Sequence, residues 1–238
     1  MKKSPNIEII SKILSDKSRL QILDLLLNGK SYRISELNEL LKIKQHTISY
    51  HMKLLIDSNI INYRKYGKYK YFYINNTHIA FIMELLSNYS PKDKIKNFND
   101  FNLHKDLYYA RTCYDHIAGK IGVELTDYFI KNNYISFLDN NFYITKKGEN
   151  FFKLKFNINM LNLKKYKRKI CFNCLDWSER KFHIAGSLGK SILEFFLNNN
   201  YLVQSNISRA LSITDTGLKF FLDEFNLDFS DYLNRYKK

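Results

Sequence analysis

Two sets of side chains in this 238-residue sequence have types and spacings suited to chemistry. The first is Cys113, Asp115 and His116, echoed further on by Cys174, Asp176 and His183. Thiolate sulfur and imidazole nitrogen are the donors that hold Zn2+ or another soft metal, and two of each complete a tetrahedral set. Read as helix, the first segment puts Cys113 and His116 on one face at i,i+3. Two other readings stand beside the metal. Cys113 and Cys174 could be redox thiols, with the histidines and Arg111 or Arg180 lowering their pKa. They could equally be small apolar core residues, the histidines bonding across a seam where Gly119 and Gly186 let helices approach. In that plain reading Arg111 and Asp115 are an i,i+4 ion pair, Trp177 is core packing, and Asp176 or Ser178 caps a helix through SERKFHIAG. Cys171 and Cys174 make one lone CxxC, a weak signal without a second pair.

The second set is Lys44, Gln45, His46, Thr47, Ser49, Tyr50 and Lys53, with the basic run Arg64, Lys65, Lys68 and Lys70 behind it. If residues 45–57 are helical, Ile48, Met52 and Leu55 take one face to the core and leave the polar set on the other. Gln and Ser bond base edges or phosphates, and Lys supplies charge. The alternative is an amphipathic helix whose polar residues are merely solvated. The basic hairpin that follows at the spacing of a wing argues against that alternative.

Several elements must position these residues. Ile7, Ile10, Ile13 and Leu14 follow helical spacing, and Ser15 and Asp16 can cap a second helix with the stripe Leu20, Ile22, Leu23, Leu26 and Leu27, closed by Gly29. A short helix over 35–41 and a turn at 42–44 precede the 45–57 helix. INYRKYGKYKYFYI then alternates as two strands with Gly67 at the turn. Thr77 can cap a fifth helix over 77–89, and residues 91–104, polar and aperiodic, read as a linker.

Beyond 104 the sequence repeats itself. HIAGKIGVELTDYFIKNNYI from His116 matches HIAGSLGKSILEFFLNNNYL from His183, and Phe142–Phe152 matches Leu211–Phe221. Each copy reads as a long helix, a two-stranded hairpin and a closing helix capped near Thr145 or Thr214, an order that is itself winged-helix-like. The expected architecture is mainly α with small β-hairpins. A winged helix-turn-helix domain (1–90) and a linker (91–104) precede a duplicated domain (105–238).

The net charge of +15 favours attraction to phosphate backbones, although a lysine-rich coding bias would produce the same excess. No apolar run approaches a membrane span, and the amphipathic start is not a signal peptide, so the chain reads as cytoplasmic. There is no Gly-rich phosphate loop, HExxH or nucleophile elbow, and an enzyme is not expected.

ILSDKSRLQILDLLLNG, ISELNELLKIKQHTISYHMKLLIDSNII and YRKYGKYKYFYI resemble the ArsR/SmtB family of winged-helix repressors over about the first 75 residues. The carrying motifs are Asp16 to Leu23, Thr47 to Leu55 and Gly67 to Phe72. The resemblance implies a homodimer joined through the first and fifth helices, with recognition helices in successive major grooves of double-stranded DNA. It also implies DNA contacts at Gln45, Thr47, Ser49 and Tyr50. That family's usual effector sites are missing: the third helix lacks the cysteine pair of arsenic, cadmium and lead sensors. The fifth lacks the paired ligands of zinc and nickel sensors, His78 standing alone there. ARTCYDHIAGKIGVEL and CLDWSERKFHIAGSLG look like a C-terminal extension found in a subset of such regulators. The second domain is therefore the expected sensor, and a ligand-free assembly module is the alternative.

Overall fold

The computed structural model describes residues 7–74, 77–91, 105–163, 168–206 and 208–234. Its contacts divide the chain into two compact units, Met1–Met83 and Glu84–Lys238. The division falls inside the fifth helix, whereas the expected linker over 91–104 lies outside the described residues from 92 on.

The first unit follows the order expected of a winged helix-turn-helix. It contains α1 (Ile7–Leu14), α2 (Lys17–Leu26), α3 (Ile34–Leu41), α4 (Gln45–Asp57), β1 (Ile61–Tyr66) and β2 (Tyr69–Ile74), and α5 (Thr77–Tyr89) begins in it. The Asp16 carboxylate accepts from the Arg19 backbone N–H at 2.9 Å and so caps α2. Ile22, Leu23, Leu26, Leu37, Ile48 and Leu55 are sealed from solvent and form the core that α4 lies on. Leu20, expected in the apolar stripe, is 38% exposed at its edge. The α3–α4 turn is sharp because Lys42 adopts a left-handed φ of 56° and the Asn38 amide donates to the Ile43 carbonyl at 2.6 Å. In the β1–β2 hairpin, Gly67 at φ +56° makes the turn and Tyr66 pairs with Tyr69. The side chains of Thr77 and His78 lie outside the described residues.

In the second unit each copy holds one element more than the sequence pattern indicates. The first copy runs β3 (Arg111–Cys113), β4 (His116–Ala118), α6 (Lys120–Lys131), β5 (Ile135–Leu138), β6 (Asn141–Ile144) and α7 (Lys146–Phe156). After α8 (Met160–Leu163), the second runs β7 (Phe172–Leu175), β8 (Phe182–Ala185), α9 (Gly186–Asn198), β9 (Leu202–Gln204), β10 (Leu211–Ile213) and α10 (Asp215–Phe225). A short α11 (Asp231–Asn234) follows. Thr145 and Thr214 cap α7 and α10 as expected, each accepting at 2.9 Å from the glycine N–H three residues on.

The HIA segments are strands, not helix. Tyr114 takes φ +59°, which closes a two-residue turn and returns His116 directly opposite Cys113. Helix begins only at Lys120 and Gly186, and the φ values of +79° at Gly119 and +87° at Gly186 turn the chain out of each strand. A shared core of Phe129, Phe152, Phe196, Phe221, Phe225 and their aliphatic neighbours joins the copies.

Candidate functional site

The polar face of α4 stands in solvent. Lys44, Gln45, His46, Ser49, Tyr50 and Lys53 are exposed and Thr47 half-buried, while Ile48, Met52 and Leu55 are buried beneath them. The Ser49 hydroxyl donates to the Gln45 carbonyl one turn back, at 2.9 Å, so its lone pairs face outward. His51 is buried on this helix, 3.7 Å from the Asp16 carboxylate and 3.4 Å from an Arg19 nitrogen. Those contacts pin α4 to the start of α2. Spacing in the sequence did not single them out as a positioning set.

Arg64, Lys65, Lys68 and Lys70 are all exposed on the β1–β2 hairpin. Three of these cations lie over aromatic rings: Arg64 is 4.9 Å from the Tyr73 ring, Lys68 is 5.4 Å from that of Tyr69, and Lys70 is 4.5 Å from that of Tyr63. Aromatic support orders long basic side chains without neutralising them, so the hairpin presents a fixed positive edge.

In the second unit Cys113, His116, Cys174 and His183 come together, each buried, with one ligand atom from each lying within 4.8 Å of the others. The geometry behind this is the β-hairpin. Cys113 pairs with His116 across β3–β4, and Cys174 with His183 across β7–β8. Directly opposed residues of an antiparallel pair share one face with their Cβ atoms about 5 Å apart. Two such faces meet between the repeats, with the sulfurs 3.8 Å apart and the imidazole centroids 5.1 Å apart. The i,i+3 helical relation expected for Cys113 and His116 is thereby corrected to a cross-strand one. Close approach between the copies comes at Gly122 and Gly189, whereas Gly119 and Gly186 lie tight against the Tyr108 and Ile170 carbonyls of their own copies. A Cβ on Gly189 would stand 3.0 Å from the Cβ of His116, and one on Gly122 would stand 3.6 Å from that of His183. Cys171 stays outside the cluster.

Each histidine has a carboxylate at Nδ1. Asp176 Oδ2 is 3.1 Å from that atom of His183, and Asp115 Oδ1 is 3.4 Å from that of His116. The carboxylates are held by arginines of the opposite copy. Arg111 donates to Asp176 at 3.1 Å with both side chains sealed from solvent, and Arg168 donates to Asp115 at 2.5 Å. The expected Arg111–Asp115 pair is therefore replaced by two crossed pairs. Asp176 also accepts from the Gly119 N–H at 2.7 Å and from the N–H groups of Ser178 and Glu179, so it organises the 176–181 loop and caps no helix. Trp177 lies against the Arg111 guanidinium, 4.2 Å from its ring.

Burial pushes the Cys113 thiol well above its ordinary value, the reverse of the lowering that nearby cations suggested from sequence, and burial pushes Cys171 up to about 12. Burial works against charge on His183 too, but the Asp176 carboxylate outweighs it and raises the imidazole to about 9. Burial likewise opposes ionisation of Asp115, and His116 and Arg168 outweigh it, holding the carboxyl at about 2.

The strands that carry the cysteines are tied to the second half of α5. Glu84 forms a buried ion pair with Arg209, whose carbonyl accepts from the Thr112 N–H at 2.8 Å. Asn88 donates to the Leu175 carbonyl at 3.3 Å, and its own carbonyl accepts from Arg180 at 2.9 Å.

The family model described as "Bacterial regulatory protein, arsR family" matches residues 16–63. Over 224 residues the chain is 37% identical to YdfF of Bacillus subtilis (strain 168), described as an uncharacterized HTH-type transcriptional regulator. That similarity covers 94% of this chain and 99% of YdfF, and so includes the duplicated unit. The arsenical resistance operon repressor of Staphylococcus aureus is 40% identical over 78 residues, 33% of this chain and 74% of that one. Among solved structures, HlyU from Vibrio cholerae N16961 is 26% identical, with 35% of this chain and 89% of that one covered at a TM-score of 0.32.

Proposed function

This chain belongs to the ArsR family of bacterial regulatory proteins, and on that premise we propose that it binds operator DNA as a homodimer and represses transcription, its second unit setting the DNA-binding state. The observation that carries the reading is the exposed polar face of α4 beside an exposed basic hairpin. Gln45, Thr47, Ser49 and Tyr50 read base edges in the major groove. Lys44, His46 and Lys53 flank them, and Arg64, Lys65 and Lys68 hold phosphates or enter the adjacent minor groove. The homodimer is supported by apolar side chains left in solvent on α1 and α5, among them Ile7, Ile9, Ile82 and Leu86. No helix among the described residues is long and apolar enough to cross a membrane, in keeping with work on chromosomal DNA.

The effector is read by the second unit, where the Cys113, His116, Cys174 and His183 cluster takes Zn2+ or another soft metal, or else works as a thiol switch. A ligand that differs in affinity for two states of the protein shifts the balance between them, and that difference is the free energy available to release DNA.

The test is selection of duplexes from a random-sequence pool by the full-length protein, followed by anisotropy titration of the recovered sequence against scrambled DNA. The reading expects one recovered motif with two half-sites. Binding that never rises above that of scrambled DNA would sink it.

A further inference from the structure

We propose that Cys113, His116, Cys174 and His183 form a closed four-coordinate site for a divalent ion of the Zn2+ class, with Asp115 and Asp176 as the carboxylates that orient its histidines. For its effect on DNA this rests on the second unit being the sensor; for binding it rests on the site alone.

The distances fit a metal and not a disulfide. A tetrahedral ion with Zn–S bonds of about 2.3 Å sets its two sulfurs about 3.8 Å apart. The Cys113 and Cys174 sulfurs stand at 3.8 Å, whereas a disulfide needs about 2.0 Å. The widest ligand separation, 4.8 Å, exceeds a tetrahedral edge, so the donors close on an ion by less than about 1 Å each.

The histidines are prepared for it. With a carboxylate beside Nδ1, the proton of the neutral ring sits on that nitrogen and Nε2 presents its lone pair. Among the described residues, Nε2 of His116 and Nε2 of His183 are buried without a hydrogen-bond partner, a costly arrangement that a cation at the centre of the cluster removes; Nδ1 of His183 also lacks an aligned hydrogen bond, and the Asp176 carboxylate 3.1 Å away faces it as a counter-charge. A carboxylate behind each ligating histidine is the recurrent outer shell of zinc sites, and here it occurs twice. Because Arg168 and Arg111 hold Asp115 and Asp176 across the copies, each half of the outer shell depends on the other repeat.

Burial also weighs against the thiol switch. Cys113 is 1% exposed and Cys174 2%, so an oxidant has no approach to either sulfur, while a small ion needs only a transient opening. Four protein donors leave no place for substrate, so the ion is structural or sensed and does no catalysis.

The experiment uses full-length protein stripped by chelator under reductant and titrated with Co2+, then with Zn2+. The expected result is one Co2+ per chain, with intense tetrahedral d–d bands and thiolate charge transfer, both erased by one equivalent of Zn2+. Cys113→Ser and Cys174→Ser each remove one Co–thiolate bond and should cut the charge-transfer band to about half or less, and Cys171→Ser should keep it whole. Should either cysteine variant fail to fold, Asp115→Asn decides. It keeps all four ligands, and its Zn2+ affinity should fall roughly 10- to 100-fold. A weak octahedral Co2+ spectrum, no binding, or equal loss in Cys171→Ser would overturn the site. Anisotropy on the selected duplex with and without Zn2+ is read separately. If Zn2+ binds but leaves DNA affinity unchanged, the metal site stands and the sensor reading falls.

Discussion

At the level of single residues, the proposed function assigns base reading and charge to different side chains. Gln45 and Ser49 lie one turn apart on the exposed face of α4, far from its core contacts. Replacing both by alanine should abolish preference for the selected duplex while leaving the melting curve unchanged, and a competition gel shift measures it. In the same proposal, Lys65→Ala with Lys68→Ala removes phosphate contacts alone. It should weaken binding to every sequence alike and lower the slope of log affinity against log salt by roughly 1.8. A change of sequence preference in that variant would mean the hairpin reads bases. In the second unit, Asp176 meets Arg111, His183 and three backbone N–H groups without access to water. Asp176→Asn leaves the Arg111 charge buried without its counter-ion, a loss of about 3–5 kcal/mol. Chemical denaturation of full-length protein should show it as instability confined to the transition that Cys174 burial reports.

At the level of elements, α4 was legible to its ends because a buried stripe at helical period and a polar remainder leave one register. The Thr145 and Thr214 caps were legible because a hydroxyl three residues before a glycine N–H is a local device. The β3–β4 and β7–β8 hairpins were not, since strands of three or four residues contain too little alternation to oppose a helical reading. One signal did exist. Both copies hold Cys-x-Asp, but the histidine follows the cysteine by three residues in one and nine in the other. On a helix, nine residues reverse the face, so no helix treats the two pairs alike. A hairpin with loops of unequal length does. The crossed pairs Arg111–Asp176 and Arg168–Asp115 span 65 and 53 residues, and nothing local encodes them. The helices' part in the site is also testable. A methyl on Gly122 would stand 2.4 Å from the Ile117 carbonyl oxygen, and one on Gly189 would stand 2.7 Å from that of Ile184. Gly122→Ala and Gly189→Ala should each cost about 1–3 kcal/mol and displace the strand beneath, reducing Zn2+ affinity in the Co2+ competition.

At the level of the whole molecule, the proposed homodimer requires two recognition helices held at a fixed spacing, one from each copy. The surface able to provide that is apolar and unusually exposed. On α5, Phe81, Ile82, Leu85, Leu86 and Tyr89 range from 38% to 81% exposed, and on α1 Ile7 and Ile9 are 77% and 54% exposed. Side chains of this size in solvent along whole helices mark a surface that a partner covers. The same α5 carries Glu84 and Asn88, buried on its other face and bonded to Arg209 and Leu175, beside the strands of the Cys/His cluster. One helix thus holds both the apolar residues that a second copy would cover in the proposed dimer and the polar residues bonded to the segments beside the cluster. Two substitutions pull these roles apart. Ile82→Glu with Leu86→Glu puts like charges across the apolar face, and the protein should sediment as a monomer. Its affinity for the two-half-site duplex should fall roughly 100-fold or more, because the second half-site is no longer bound intramolecularly. Its Zn2+ affinity should be unchanged. Glu84→Gln keeps the apolar face but breaks the link to Arg209. That variant should remain a dimer, bind the duplex and bind Zn2+, while the effect of Zn2+ on DNA affinity disappears. Sedimentation, anisotropy and Co2+ competition on the two variants read all three quantities. A Glu84→Gln protein that still responds to Zn2+ as the parent does would show that the signal leaves the cluster by another path.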